Sequence, residues 1–312
     1  MIVEREERRI SAALSADAAI FRDNFDRKPF SLEHGLANHS LFEVPRLLEL
    51  AQVLARDPHN VAYDAGEVRV EQKWNQRPKN PYTLREAMEN IECTGAWVIL
   101  KHAESSAEYR DVMEAILSDV EDLSGRHLRK SIKNAEAQIM VTSPKRITPY
   151  HFDNECNVLL QINGEKDIFI FDQTDRQVLT EIELERFWAG DWNAGEYKAR
   201  CQERARAFRL APGKAVHIPV NAPHWVQNDA NVSVSLSINF EWKDESVFNV
   251  YRANYFLRKM GMLPKPPGQS KLRDGVKSTF MAAGFVPARN LARNAVRFLR
   301  RVKHQKLRAV RA

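Results

Sequence analysis

The chain has 312 residues, 44% of them hydrophobic, with 47 Lys and Arg against 41 Asp and Glu, a net charge of +6. That is enough for a sizeable core, and no apolar run approaches membrane-spanning length. Cys93, Cys156 and Cys201 are widely spaced and include no CxxC, which argues against a disulfide framework or a zinc cluster.

The start, Met1 to Arg9, is charged and lacks an apolar signal core, so a reducing, cytoplasmic setting is expected. Residues 1–135 read as a helical lead-in with a few short strands. Val44 to Leu54 has apolar positions at helical spacing. Thr83-Leu84-Arg85-Glu86 and Ser105-Ser106-Ala107-Glu108 read as capping boxes. The second opens a helix whose stripe of Val112, Ile116, Val120 and Leu123 is core packing without implied function. Trp97 to Leu100 is the strand leading into the next part.

Residues 136–244 carry short strands at 137–142, 157–162, 167–171, 207–210, 215–218 and 232–240, a pattern of sandwich or barrel. Asn163-Gly164 marks a tight hairpin. An insertion at 174–206, with Trp188, Trp192 and Tyr197, fits a lid or substrate wall as well as a helix packed outside the barrel. Residues 245–312 form a basic helical region. Val247 to Lys259 reads as a helix, broken by Pro264 to Gly268. From Lys265 onward there are 13 basic residues against Asp274 alone, whereas the rest of the chain carries 34 basic and 40 acidic residues. The basic character therefore resides in the tail. There, Leu291, Ala295, Phe298, Leu299 and Val302 make an apolar stripe among arginines. Such a helix suits a nucleic acid, an anionic membrane surface or an acidic partner, or docks on the barrel or a second subunit.

The segment Thr148-Pro149-Tyr150-His151-Phe152-Asp153 places an imidazole and a carboxylate two apart in a stretch that reads as strand, hence on one face. His224 follows in Ile218 to Trp225. Two His and one carboxylate, with other positions open, describe a non-haem Fe(II) site. By itself His-x-Asp is a weak signal, because most such residues serve surface or capping roles. Lys166 opens the return strand of the hairpin and can face the same interior, where a lysine is costly unless it meets an anion. A surface lysine at a hairpin end is the plainer alternative. Cys156 is an odd number of residues from both His151 and Asp153 and should face away as a small buried apolar residue.

Over roughly Gln138 to Trp242 the chain resembles the JmjC-type, cupin-like 2-oxoglutarate oxygenases. Its spacing is most similar to that of the asparaginyl hydroxylase acting on hypoxia-inducible factor. Thr148, His151 and Asp153 fit Thr-Pro-x-His-x-Asp, and Lys166 follows after a short hairpin. Gly213, Ile218, Pro219 and His224 fit the Gly-x-x-x-x-Ile-Pro-x-x-x-x-His element, and Asn239-Phe240 the late Asn-Phe. The resemblance implies a mainly β fold with α additions: a double-stranded β-helix (jelly-roll, cupin) core with helical flanks. It implies Fe(II) on His151, Asp153 and His224. The distal carboxylate of 2-oxoglutarate would lie on Lys166 and Thr148, its metal-bound end beside Asn157 and Asn239.

His217 falls where the family has an aromatic residue, so it is expected in packing or pocket lining. The family's upstream tyrosine has no counterpart in Ala96 to Lys101. The implied activity is hydroxylation of a protein side chain or small metabolite, with 2-oxoglutarate and O2 giving succinate and CO2. Asp153, instead of Glu, leans towards hydroxylases. A homodimer through C-terminal helices is also implied. Two other readings stay open: a metal-binding regulatory cupin acting through its basic tail, and a Zn or Mn isomerase, in which Lys166 and Thr148 would be idle.

Overall fold

The structure, a computed structural model, describes residues 14–284. The charged start at Met1 to Arg9 and the tail stripe from Leu291 to Val302 lie outside these residues. In chain order the first elements are β1 (Leu14–Ser15), α1 (Ala18–Asn24), β2 (Phe30–His34), α2 (Val44–Leu54), β3 (Val61–Ala65) and α3 (Leu84–Glu89). Then come β4 (Ala96–Leu100), α4 (Ala107–Ser124), α5 (Leu128–Ser131), β5 (Ile132–Thr142), β6 (Ile147–His151), β7 (Cys156–Asn163) and β8 (Lys166–Ile170). The last are α6 (Glu181–Trp188), β9 (Arg206–Leu210), β10 (Lys214–Ile218), β11 (His224–Asn228), β12 (Ser233–Trp242), α7 (Ser246–Lys259) and α8 (Lys271–Ala283).

The strands form two antiparallel sheets. One has eight strands in the order β1-β2-β10-β7-β12-β5-β4-β3; the other has four, β6-β11-β8-β9. Side chains from both sheets meet between them: Leu159, Val216 and Ile218 from the larger, Ile168, Ile170, Phe208, Leu210 and Val226 from the smaller. This is the two-layer solution for sheets with one apolar face each. It is a double-sheet jelly roll; no closed barrel forms among the described residues.

Local expectations hold where the signal is local. The α2 helix runs as its periodicity predicts, and Thr83 and Glu86 form the reciprocal capping box. The second box does not form. Ser105 closes a short 3-10 turn instead, and Ser106, at the N-cap of α4, makes no side-chain cap bond. The hairpin at Asn163-Gly164 is present, with Gly164 at φ +72°. A Cβ on Gly164 would overlap the Val232 carbonyl oxygen, and backbone cannot yield cheaply. Gly164→Ala is therefore expected to cost about 1–3 kcal/mol of stability, read by urea unfolding.

By contact the described residues divide into two compact units, 14–180 with 192–243, and 181–191 with 244–284. Within the second, α6 contributes Glu185, 1% exposed at its side chain, whose carboxylate accepts from Arg258 Nε and Nη2 of α7 at 2.7 and 2.8 Å. On α8, Leu272, Val276 and Phe280 recur every four residues and are exposed. No helix among the described residues is long and apolar enough to cross a membrane.

Candidate metal centre

His151, Asp153 and His224 come together: one donor atom of each lies within 4.8 Å of the others. His151 Nε2 and His224 Nε2 stand 3.9 and 3.8 Å from Asp153 Oδ2, and the imidazole centroids are 4.2 Å apart. His151 and Asp153 do not share a strand, contrary to the alternation expected of them. β6 ends at His151, so Asp153 reaches the cluster from the bend beyond it. That bend is tied by the Asn221 amide, which donates to the Asp153 carbonyl at 2.9 Å.

Thr148 and His151 are an odd number apart, yet both oppose inward residues of β11. Val226 pairs with Thr148 and His224 with His151, with a register shift between. The extra residue of that β-bulge resets the alternation and turns both side chains to one face. On the other side of β11, Ile170 pairs with His224 and Lys166 with Asn228, which puts Lys166 on the same interior face.

The donor set fits a divalent metal. Each imidazole gives its Nδ1 proton to a main-chain carbonyl, Pro149 at 2.7 Å and Ala222 at 2.9 Å, because a carbonyl can only accept. Both Nε2 lone pairs are thereby left facing the cluster. Burial pushes both imidazoles down to about 4, so they are neutral, as ligands must be. All three donor atoms lie within 4.8 Å of one another, close enough for one divalent ion to draw them onto a shared centre.

Lys166 fits an anionic cosubstrate. It is 5% exposed, and burial lowers its ammonium to about 7. Its Nζ donates to Ser235 Oγ at 2.5 Å, and Ser235 passes its proton to Gln161 Oε1 at 2.7 Å. No carboxylate among the described residues pairs with it. Asn157 and Asn239 face each other across β7 and β12. Asn239 Oδ1 accepts from Ser237 at 2.7 Å, whereas the buried Asn157 Oδ1 has no partner among the described residues.

The two competitors are accounted for. His217 lies on the opposite face of β10, beside Phe25 and Phe30, accepting from the Asp26 amide and meeting the Asn157 carbonyl. It is a packing residue. Cys156 is turned away from the cluster and fully buried, but it is not in a purely apolar setting. Burial and the neighbouring Asp26 carboxylate raise its thiol well above the ordinary value.

The sequence matches the model of the cupin-like domain family over residues 50–246. The chain belongs to the cupin-like domain family. Among solved structures, Escherichia coli YcfD resembles this cupin-like chain with a TM-score of 0.50 at 14% identity, over 88% of this chain and 69% of that one. A second structure, described as the ribosomal oxygenase YcfD in complex with cobalt and 2-oxoglutarate, gives a TM-score of 0.48 at 13% identity, over 88% and 68%. At such identities the likeness is one of fold. No curated protein matches the sequence.

Several residues that shape this cupin-like site carried no signal in the sequence. Trp74, in an irregular segment, sets its ring edge-on against His151 at 4.9 Å. Ser235 could have been suspected from its alternation with Asn239, but its pairing with Lys166 crosses between sheets. The 174–206 insertion contributes Trp192, Asn193 and Gly195 to the mouth of the site, with Lys73, Trp74 and Tyr150 to Phe152. A Cβ on Gly195 would lie 2.9 Å from Phe152 Cε1, and Phe152 sits between two members of the cluster. Gly195→Ala is expected to lower Co(II) affinity about tenfold through the displaced ring, as loss of a supporting contact does. Calorimetric titration of the metal measures it.

Proposed function

We propose that the protein is an Fe(II)- and 2-oxoglutarate-dependent oxygenase that hydroxylates a C–H bond of a protein side chain or small metabolite. The observation that carries this reading is Lys166, a buried lysine with no carboxylate partner among the described residues, on the same interior face as a His-Asp-His cluster. A dicarboxylate answers both features, with one end for the metal and the other for the lysine. His151, Asp153 and His224 would hold the iron and leave positions free. Lys166 and Thr148 would bind the far carboxylate, where a charge-assisted bond is strong. Asn157, whose amide oxygen lacks a partner among the described residues, would orient the near end. Iron with 2-oxoglutarate supplies the oxidising chemistry, in which decarboxylation gives succinate and CO2.

The test is succinate formation from 2-oxoglutarate by the purified full chain, with Fe(II) and no added substrate. Fe(II)-dependent succinate, absent in His151→Ala, supports the reading. Metal binding without succinate would overturn it in favour of a metal-binding regulatory protein.

A further inference from the structure

Beside the metal cluster, behind Trp74, lies a second, narrow cleft, partly open to solvent, which the oxygenase reading does not use. Its chemistry is set by Asp64, Lys73, Trp74, Arg77, Trp97 and Arg146. The indoles of Trp74 and Trp97 lie 5.4 Å apart, and the exposed Arg77 places its guanidinium 5.7 and 5.4 Å from their centroids. Two deeply buried donors in this lining lack acceptors among the described residues: Trp97 Nε1, on a residue 3% exposed, and Arg146 Nε, on one 6% exposed. Orphan buried donors are uncommon and call for an explanation.

Charge points the same way. Asp64 is the lone acid in the lining, and it is already bonded to Arg146 Nη2. Lys73 gives its ammonium to the carbonyls of Asn193 and Gly195, at 3.2 and 2.5 Å, so its charge is not neutralised there. The lining therefore holds three cations against one carboxylate, with one indole N–H and one guanidinium N–H that have no acceptor among the described residues. The cleft shares Lys73 and Trp74 with the mouth beside His151.

We propose that this cleft is a recognition subsite for a substrate carboxylate, the remainder of the substrate passing Trp74 to present its C–H bond at the metal cluster. The substrate is then an acid, or an acidic side chain, carrying a flat or apolar group against the indoles. The role as a substrate subsite rests on the oxygenase reading; the binding of a carboxylate does not.

The test titrates the full chain with benzoate and with its neutral isostere benzamide, read by tryptophan fluorescence. Benzoate is expected to bind about tenfold more tightly than benzamide. Arg77→Gln, at an exposed position that leaves the fold intact, and Trp97→Phe, which keeps a ring and removes the donor, should each weaken benzoate about fivefold. Lys166→Met should leave benzoate binding unchanged. Equal affinity for acid and amide, or an unchanged affinity in Arg77→Gln, overturns the proposal. So does loss of benzoate binding in Lys166→Met, which would put the probe in the cosubstrate pocket. Benzoate binding without succinate formation would sink the oxygenase reading alone; succinate formation without benzoate binding would sink the subsite alone.

Discussion

His224→Ala is expected to abolish Fe(II)-dependent succinate formation, with turnover falling about a thousandfold or more, and His151→Ala and Asp153→Ala to match it. Each change leaves two donors where three converge on one point. The remaining Nε2 is still aimed by its own Nδ1 contact, so the loss comes from coordination and not from disorder. Titration with Co(II), followed by its visible absorption, should show the same loss without any turnover. His217 supplies the control. His217→Ala removes contacts with Phe25, Phe30 and the Asp26 amide, so the melting temperature should drop. The folded protein should still take up Co(II) with wild-type affinity. If His217→Ala abolished metal binding and His224→Ala spared it, the assignment of the two histidines would be reversed.

Lys166→Met is expected to weaken 2-oxoglutarate binding by about 3 kcal/mol, the upper range for a hydrogen bond to a charged group, or roughly a hundredfold in Kd. The ligand-free fold should respond in the opposite sense. Burial lowers the Lys166 ammonium from 10.5 to about 7. Between those values the unfolded chain holds a proton that the folded one has released, so this residue makes stability rise with pH across that window. Its full cost is felt below pH 7 and vanishes above the ordinary lysine range. The methionine variant should therefore gain most over the wild type in acid, and the gain should fade as pH rises. Cosubstrate binding carries a linked sign. At pH 8 most of the free protein has a neutral Lys166, and a dicarboxylate restores its charge, so binding takes up a proton. Calorimetry in buffers of different ionisation enthalpy should detect this uptake at pH 8, see it decline at pH 6, and lose it in Lys166→Met. An uptake that persists in the variant would place the proton elsewhere.

Much of this was readable from residue order. His151, Asp153, Lys166 and His224 were reachable through their donor types and the motif spacing shared with the resembled family, and the turn at Asn163-Gly164 set Lys166 at the head of its strand. The capping box at Thr83 and the α2 helix were legible because capping and helical spacing act over a few residues. Where alternation alone was applied to Asp153 it failed, since β6 stops at His151 and a bend carries the carboxylate inward. Ser105 failed because a cap needs the chain to enter the helix there, and a 3-10 turn intervenes. The acceptor beside Cys156 is Asp26, 130 positions away, which no local pattern announces.

Residue order by itself determined the donor types, the spacing that lets a bulge and a hairpin turn them inward, and the short apolar-faced strands that pack as two sheets. Only the tertiary structure decided that Thr148 and His151 share a face, that Lys166 is buried against Ser235 with no acid beside it among the described residues, and that Trp74 stands between the cluster and a cationic cleft. The physical reason is one of range. Hydrogen bonds within a turn or ladder register depend on near neighbours, whereas the charge and solvation of a buried group depend on every chain segment that packs around it.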